Sequence, residues 1–124
     1  MKRLVILLSL SLPAFSAPIL SCFNNSPTGG VGFSYENCVN RNFREIRYQL
    51  NLRLDTCTNW GTQVNPSYPY CIDRNFREIR REFPSYFMRS CTNYGPNLSW
   101  FFQNCVNDNF RTAERIIREL DLEP

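Results

Sequence analysis

The sequence predicts a mostly α-helical protein of three tandem, disulfide-stapled loop-helix repeats of about 34 residues, which form a small helical stack or bundle. Three observations predict this fold. A segment recurs three times, six cysteines occupy matching positions in the copies, and apolar residues follow the second cysteine of each copy at helical spacing. One copy is too small to bury an apolar face alone, so we expect neighbouring copies to pack together.

The first 16 residues have the features of a secretory signal peptide. A basic start is followed by an apolar run over residues 4–12, too short to span a membrane, and then by small residues. We expect cleavage after Ser16, with cleavage after Ala17 as the alternative. Residues 17–124 then form a single mature domain without a transmembrane segment, in a secreted or periplasmic protein.

A second interpretation of the N-terminus concerns Cys22. Residues 19–22 loosely resemble a bacterial lipobox, in which the cysteine receives a lipid and is lost to disulfide formation. Six cysteines in a short exported chain instead favour three disulfides, because oxidising compartments allow these bonds to form. We therefore do not expect a lipid anchor at Cys22.

The recurring segment begins at the second cysteine of each copy. It reads CVNRNFREIR in the first copy, CIDRNFREIR in the second and CVNDNFR in the third. Upstream, a Cys-Thr-Asn-aromatic-Gly sequence recurs in the second and third copies, whereas the first copy diverges there. The three predicted repeats cover residues 22–56, 57–90 and 91–124.

Apolar residues at helical spacing predict one helix in each copy. At 100° per residue they fall within one arc of the helical wheel, which we expect to face the core. The second helix should end near Phe83, because Pro84 disfavours a helical conformation at the residue before it. A short extra turn of helix is expected within residues 85–90. The predicted core stripes are Val39, Phe43, Ile46, Leu50 and Leu54; Ile72, Phe76, Ile79 and Phe83; and Val106, Phe110, Ala113, Ile117 and Leu120.

Helical geometry favours disulfides within the loops. A straight helix from Cys38 to Cys57 would separate these cysteines by about 28 Å, at 1.5 Å per residue, whereas a disulfide needs Cα atoms within about 7 Å. A bent helical hairpin in each copy would instead allow Cys38–Cys57 and Cys71–Cys91. The favoured bonds are Cys22–Cys38, Cys57–Cys71 and Cys91–Cys105.

The composition argues against several classes of function. The chain has no histidine, which excludes Ser-His and Cys-His catalytic pairs. Removing Lys2 and Arg3 from the 14 cationic residues leaves 12 arginines against 11 acidic residues, too small an excess to attract nucleic acid. No spacing typical of a metal, nucleotide or cofactor site is present, so we expect neither metal nor cofactor.

Glu45 and Glu78 are the candidates for acid–base chemistry by a pair of carboxylates. They occupy the same position in two copies, away from the core, one helical turn after Arg41 and Arg74. Ion pairs at this spacing are typical of solvated helix faces. We therefore favour a structural role for these side chains and expect no enzyme.

Each copy contains an Asn-Phe-Arg triplet whose phenylalanine lies in the core stripe. The asparagine lies one turn after the second cysteine, where its amide is expected to bond the backbone of the closed loop. The arginine points away from the core. It either pairs with the polar residue one turn earlier or stacks on a loop aromatic, or the three form a row that binds carboxylates, sulfates or phosphates. The triplets are Asn42-Phe43-Arg44, Asn75-Phe76-Arg77 and Asn109-Phe110-Arg111.

Aromatic residues lie in or beside each closed loop. They either pack beneath the disulfide as a second small core or stay exposed as anchors for a partner, since Trp, Tyr and Arg dominate interface energetics. The glycines that follow two of them, Gly61 and Gly95, are expected in a left-handed conformation. The candidate anchors are Trp60, Tyr94 and Trp100.

Together these features predict a secreted, non-enzymatic binding or interaction module for a protein or a glycan, which uses the aromatic loops and the arginine row. The alternative is a secreted effector, such as an enzyme inhibitor or a toxin, that blocks its target with one rigid loop. A module should lose binding gradually as repeats are removed, whereas an effector should depend on one loop. Two glycosylation sequons, at Asn24 and Asn97, matter only in a eukaryotic secretory pathway.

Overall fold

Three helices make up most of the structure, a computed structural model that describes residues 18–27 and 29–121. The predicted signal peptide and its cleavage site lie outside these residues. No strand occurs in the described part of the chain, and the predicted all-helical fold is confirmed. The helices are α1, Phe33–Leu50; α2, Ser67–Glu82; and α3, Trp100–Asp121.

Each helix begins before the second cysteine, earlier than the sequence stripes predicted. The second cysteine therefore lies inside the helix. Each helix also has one more core position, three residues before this cysteine. Tyr35, Tyr68 and Phe102 fill this position and are at most 1% exposed. At the start of α3, the Ser99 hydroxyl accepts a hydrogen bond from the backbone N–H of Phe102, as an N-cap residue does.

The end of α1 corrects one prediction. The helix ends at Leu50, and Asn51 then adopts a left-handed conformation with φ of +54°. Asparagine tolerates this conformation better than most other residues with a side chain. Leu54 is buried as predicted, but from a segment without helical structure and not from the helix.

The end of α2 follows the sequence closely up to Pro84. The helix ends at Glu82, as the proline predicted. The backbone N–H of Tyr86 then donates to the carbonyl of Phe83 at 3.1 Å, which closes a turn. The extra turn of helix predicted within 85–90 does not form, because the chain continues from this turn without helical structure.

The three disulfides close the loops, which is the pairing favoured from the sequence. The two Cα atoms lie 5.7 Å apart in each bond. The sulfur of Cys22 is occupied by its disulfide and is not available for a lipid. The bonds are Cys22–Cys38, Cys57–Cys71 and Cys91–Cys105.

One phenylalanine from each helix meets the other two at the centre of the molecule. The ring centroids of Phe43 and Phe76 lie 5.1 Å apart, those of Phe43 and Phe110 5.0 Å, and those of Phe76 and Phe110 5.1 Å. The rings are tilted by 59° to 66°, within the range of favourable aromatic pairs. In an open stack the second unit would separate the first from the third. Three equal contacts show instead that the units close into a ring around one axis.

A polar side chain two residues after the second cysteine links each unit to the next. It accepts a hydrogen bond from the backbone N–H of the next unit's first cysteine at 2.8 or 2.9 Å. Asn107 makes this bond to Cys22, 85 positions earlier, and so joins the third unit back to the first. The links are Asn40 to Cys57, Asp73 to Cys91 and Asn107 to Cys22.

The asparagine of each Asn-Phe-Arg triplet holds the segment that leads into its unit. Its amide accepts from the N–H and donates to the C=O of one residue, two positions before the first cysteine, at distances of 2.7 to 3.1 Å. The amide was predicted to bond the backbone of the closed loop; it bonds backbone instead at a residue that precedes the loop. The pairs are Asn42 with Leu20, Asn75 with Asp55 and Asn109 with Arg89.

The three loops meet at one end of the ring. Backbone hydrogen bonds join the third loop to each of the other two. Gly30 of the first loop lies so close to the carbonyl of Thr62 in the second that a Cβ there would approach it to 2.3 Å, so the contact requires glycine. The hydrogen bonds run from Leu98 N–H to Gly29 O, 3.2 Å, and from Val64 N–H to Pro96 O, 2.9 Å.

Candidate functional site: the loop end and the outward arginines

An asparagine two residues after the first cysteine organises each loop from within. In the second loop the amide of Asn59 accepts from the N–H of Asn65 at 2.7 Å and donates to the carbonyl of Gln63 at 3.1 Å. Asn93 makes the same bonds in the third loop. Gly61 and Gly95 have φ of +99° and +87°, which confirms their predicted left-handed conformation.

The candidate anchors are exposed on these loops. Tyr94 is 83% exposed, Trp60 72% and Trp100 62%. Tyr35 and Tyr68, which the structure places in the first turns of α1 and α2, are buried, but they belong to the common core and not to a second small core beneath the disulfides.

Two further aromatic residues extend the exposed surface around Trp100. Phe101 is 85% exposed, and the ring of Phe23 stacks on the indole of Trp100 with centroids 5.8 Å apart and planes inclined by 21°. Sequence reasoning missed Phe23, because its partner comes from the opposite end of the chain and is brought near only by ring closure. We define the aromatic loop end as Phe23, Trp60, Tyr94, Trp100 and Phe101.

The outward arginines Arg44, Arg77 and Arg111 lie on three different sides of the ring. Each follows a phenylalanine that points to the common axis, and rotation about that axis relates the three units. The guanidinium groups therefore point outward in three directions around the axis, and the row of arginines that the sequence suggested stays a prediction.

The contacts of these arginines also differ. Arg77 lies 3.5 Å from the carboxylate of Asp73, one turn earlier, and its guanidinium is 5.9 Å from the ring centroid of Tyr70. Arg111 pairs with the carboxylate of Asp108. For Arg44, no ion pair is found within the described residues. The predicted pairing with the polar residue one turn earlier is thus found only for Arg77.

The glutamates considered for acid–base chemistry have structural partners on the helix surface. Glu45 accepts a hydrogen bond from the Gln49 amide at 2.8 Å, and Glu78 pairs with Arg81. The predicted ion pairs to Arg41 and Arg74 are not formed, and Arg74 pairs with Asp55 instead.

Two buried hydroxyls are a feature that the sequence did not indicate. The hydroxyls of Tyr35 and Tyr68 have no hydrogen-bond partner, although both residues are fully buried. Burial raises the pKa of both tyrosines far above the ordinary value. The third unit has Phe102 at this position, so the hydroxyl is not needed for packing.

The two sequons have different environments. The amide of Asn24 donates to the carbonyl of Gly30 at 2.7 Å and accepts from the N–H of Gly32 at 2.8 Å, so it is occupied within the loop. Asn97 is exposed at the loop end. A glycan at Asn24 would break the bonds that shape the first loop, whereas the amide oxygen of Asn97 lies against Gly29 of that loop.

Comparisons of the chain with models of known families, with curated proteins and with solved structures gave no match. Across residues 18–27 and 29–121, no three or more carboxylate, thiol or imidazole groups are placed to hold a metal ion. No helix in the same ranges has the length and apolar character needed to cross a membrane. Any proposal for the function therefore rests on the chemistry of the exposed side chains.

Proposed function

We propose that the protein is an exported, non-enzymatic binding module that engages a protein or a glycan through the aromatic loop end. The observation that carries this proposal is the exposure of Trp60 and Tyr94 on loops that touch one another, and of Trp100 and Phe101 in the first turn of α3. Large apolar side chains grouped on a surface are typical of interaction sites, because leaving them in water is unfavourable unless a partner covers them.

The rigidity of the loops supports the same function. Each loop is closed by a disulfide, braced internally by an asparagine side chain and held against the other two loops. A surface ordered before binding loses little conformational entropy when it binds. Trp and Tyr also bury much area for few rotatable bonds, which suits them as anchors in a fixed frame.

The parts of the proposal that concern export and the lack of catalysis are supported by the cysteines and by the composition. Every cysteine of the chain is in a disulfide, and disulfides persist in oxidising compartments. The N-terminal 16 residues have the composition of a signal peptide. A chain without histidine or a free thiol has few nucleophiles and no ordinary proton shuttle near neutral pH.

Tryptophan fluorescence provides a direct test, because both tryptophans of the chain lie at the aromatic loop end. The wild-type protein is screened on a printed glycan array and on intact cells, and each ligand found is titrated while the emission is recorded. We expect a blue shift on binding. The triple variant Trp60→Ala, Tyr94→Ala, Trp100→Ala has no tryptophan left, so its binding is measured by isothermal titration calorimetry, and it should not bind.

The matched control removes two exposed aromatics far from the loops, Tyr48 and Phe87, which are 80% and 76% exposed. The double variant Tyr48→Ala, Phe87→Ala should bind as the wild type does. Binding that survives in the triple variant and is lost in this control would contradict the proposal.

The uneven distribution of the aromatics favours the effector as a second candidate. Phe23, Trp100 and Phe101 are grouped where the first and third units meet, while Trp60 and Tyr94 stand alone on their loops. An effector that uses this group should lose its activity in Trp100→Ala and keep it in Trp60→Ala and Tyr94→Ala. A module that uses the whole end should lose part of its affinity in each single variant.

A further inference from the structure

In the second unit, two arginines on the outer side of the ring each pair with a carboxylate. Arg74 pairs with Asp55 across the disulfide-closed segment, and Arg77 pairs with Asp73 on the same helix. Two arginines thus face two carboxylates. These arginines have structural partners and do not indicate a ligand.

In the third unit, the pair equivalent to Arg74–Asp55 has its charges exchanged. Asp108 takes the place of Arg74, and Arg89 takes the place of Asp55, with the two side chains 2.8 Å apart. Arg111 pairs with the same carboxylate. The carboxylate of Asp108 thus pairs with both Arg89 and Arg111, so each of these arginines again has a partner within the protein.

The first unit differs at these positions. Arg41 and Arg44 occupy the equivalent places on α1, but Leu20 replaces the acid before the loop. Asn40 replaces the acid on the helix, and its amide is occupied by the backbone of Cys57. Within the described residues neither arginine has a carboxylate in ion-pair contact.

These two arginines line a concave surface along α1. The groove has a volume of about 470 Å³ and includes Phe33 and Asn37 besides the arginines. Phe33 is 80% exposed, and Ser34 and Asn37 present a hydroxyl and an amide to solvent beside it. The volume lies within the range of small-molecule sites. Two uncompensated cations, an exposed ring and neutral hydrogen-bonding groups thus share one groove.

We infer that this groove binds an acidic sugar, with Arg41 and Arg44 on its carboxylate. Guanidinium groups pair with carboxylates through two parallel hydrogen bonds. The exposed face of Phe33 offers an apolar platform for a sugar ring. Ser34 and Asn37 can both donate to and accept from hydroxyls, which match sugars better than they match a second charged group.

This site goes beyond the proposed function, because it lies on the helix surface and uses none of the residues of the aromatic loop end. An acidic peptide is the competing ligand, since its carboxylates would also attract the arginines. The groove offers no exposed strand edge to hold a peptide backbone, as the described residues form no strand. The neutral groups around Phe33 therefore favour a sugar.

The test uses the exported chain with its three disulfides, labelled with ¹⁵N and titrated with trigalacturonate at low ionic strength. We expect saturable shifts of the amides of residues 33–44. The methyl-esterified trimer, which lacks the negative charge, should bind at least about tenfold more weakly. The double variant Arg41→Ala, Arg44→Ala should lose the same factor, and Phe33→Ala should lose a smaller one.

The matched control is Arg74→Ala, Arg77→Ala, which removes the same charge from the second unit. It should bind the trimer within about twofold of the wild type, since these arginines have protein partners. Absence of saturable shifts up to about 10 mM trimer would overturn the proposal. Equal losses in the two double variants would do so too, and so would tighter binding of triglutamate, which would assign the groove to acidic peptides.

Discussion

The inner and outer sides of the ring differ in how they vary among the three units. On the inner side the phenylalanines and the asparagines before them are identical in all three units, and the other equivalent core positions keep apolar or aromatic residues. On the outer side an ion pair in the second unit has its charges exchanged in the third and is absent from the first. The inner positions are Phe43, Phe76 and Phe110; the outer pairs are Arg74–Asp55 and Asp108–Arg89, with Arg41 and Leu20 in the first unit.

The difference has a physical cause. Side chains that meet on an axis must have nearly the same volume and shape, because one larger or smaller ring would clash or leave a cavity. A half-exposed ion pair needs only opposite charges and contributes little to stability. The fold therefore depends mainly on the residues of the inner side. The outer side is free to change, and a place where it leaves charges unbalanced points to a ligand.

The largest effect is expected at the axis. Phe76→Ala removes a ring that touches both of its counterparts and leaves a cavity that the other units cannot fill. We expect the free energy of unfolding to fall by about 3–5 kcal/mol, measured by chemical denaturation with the disulfides intact. Phe87→Ala, at an exposed site, should change it by less than about 0.5 kcal/mol. Similar losses of free energy of unfolding in both variants would contradict the difference between the inner and outer sides of the ring.

The link that closes the ring should rank second. Asn107→Ala leaves the backbone N–H and C=O of Cys22 buried without their partner, which should cost about 2–3 kcal/mol. Asn40→Ala, which breaks the link between the first and second units, should cost a similar amount. Asn37→Ala, on the exposed face of α1, is the control. A negligible loss in Asn107→Ala alone would indicate units that do not close.

The buried tyrosines predict a loss of stability at high pH. Below pH 10 both the folded and the unfolded state hold the phenolic protons, so stability does not depend on them. Above about pH 10 the unfolded state releases these protons while burial, which raises the folded-state pKa of Tyr35 and Tyr68, retains them. The free energy of unfolding should therefore fall by about 1.4 kcal/mol per pH unit for each tyrosine. The double variant Tyr35→Phe, Tyr68→Phe should lack this slope in denaturation curves at increasing pH.

The same substitutions should also raise the free energy of unfolding at neutral pH, by a smaller amount. Tyr35→Phe removes a buried hydroxyl that has no partner and should raise the free energy of unfolding by about 1 kcal/mol. The reverse change in the third unit, Phe102→Tyr, should lower it by at least as much. A loss of stability in Tyr35→Phe would show that the hydroxyl has a partner, such as a buried water.

The smallest effect is expected on the outer side. Asp55→Arg places two arginines together at a site where both side chains are about half exposed, and should cost about 0.2–1 kcal/mol. Adding Arg74→Asp gives the second unit the arrangement of the third and should restore the loss. Thermal unfolding of the single and double variants at low ionic strength measures this. A double variant as unstable as the single one would contradict the interchangeability of the outer pair.

Much of the inner side could be predicted from the sequence. The spacing of Val39, Phe43 and Ile46 indicates the buried face of α1, and the distance between cysteines along a helix favours the observed disulfides. The buried Tyr35 was within reach of the same reasoning, since it lies one turn before Val39 on the same face. The repeated segment itself starts at the second cysteine, so its pattern does not indicate the earlier start of each helix.

Ring closure could not be predicted in this way. A repeated pattern specifies how one unit contacts the next, and this information is the same for an open stack and for a closed ring. Closure depends on the angle between neighbouring units and on the bond from Asn107 to Cys22, which local periodicity does not contain. The contact of Phe23 with Trp100 and the three directions of the arginines follow from closure, so they were also missed.

The most direct test of the closed ring is a measurement of nuclear Overhauser effects among the three central phenylalanine rings, with each ring assigned separately. A closed ring predicts a cross-peak between Phe43 and Phe110 as strong as those that Phe76 gives with each of them, since all three centroid distances are 5.0 or 5.1 Å. An open stack would give the two cross-peaks of Phe76 and none between Phe43 and Phe110. That result would contradict closure.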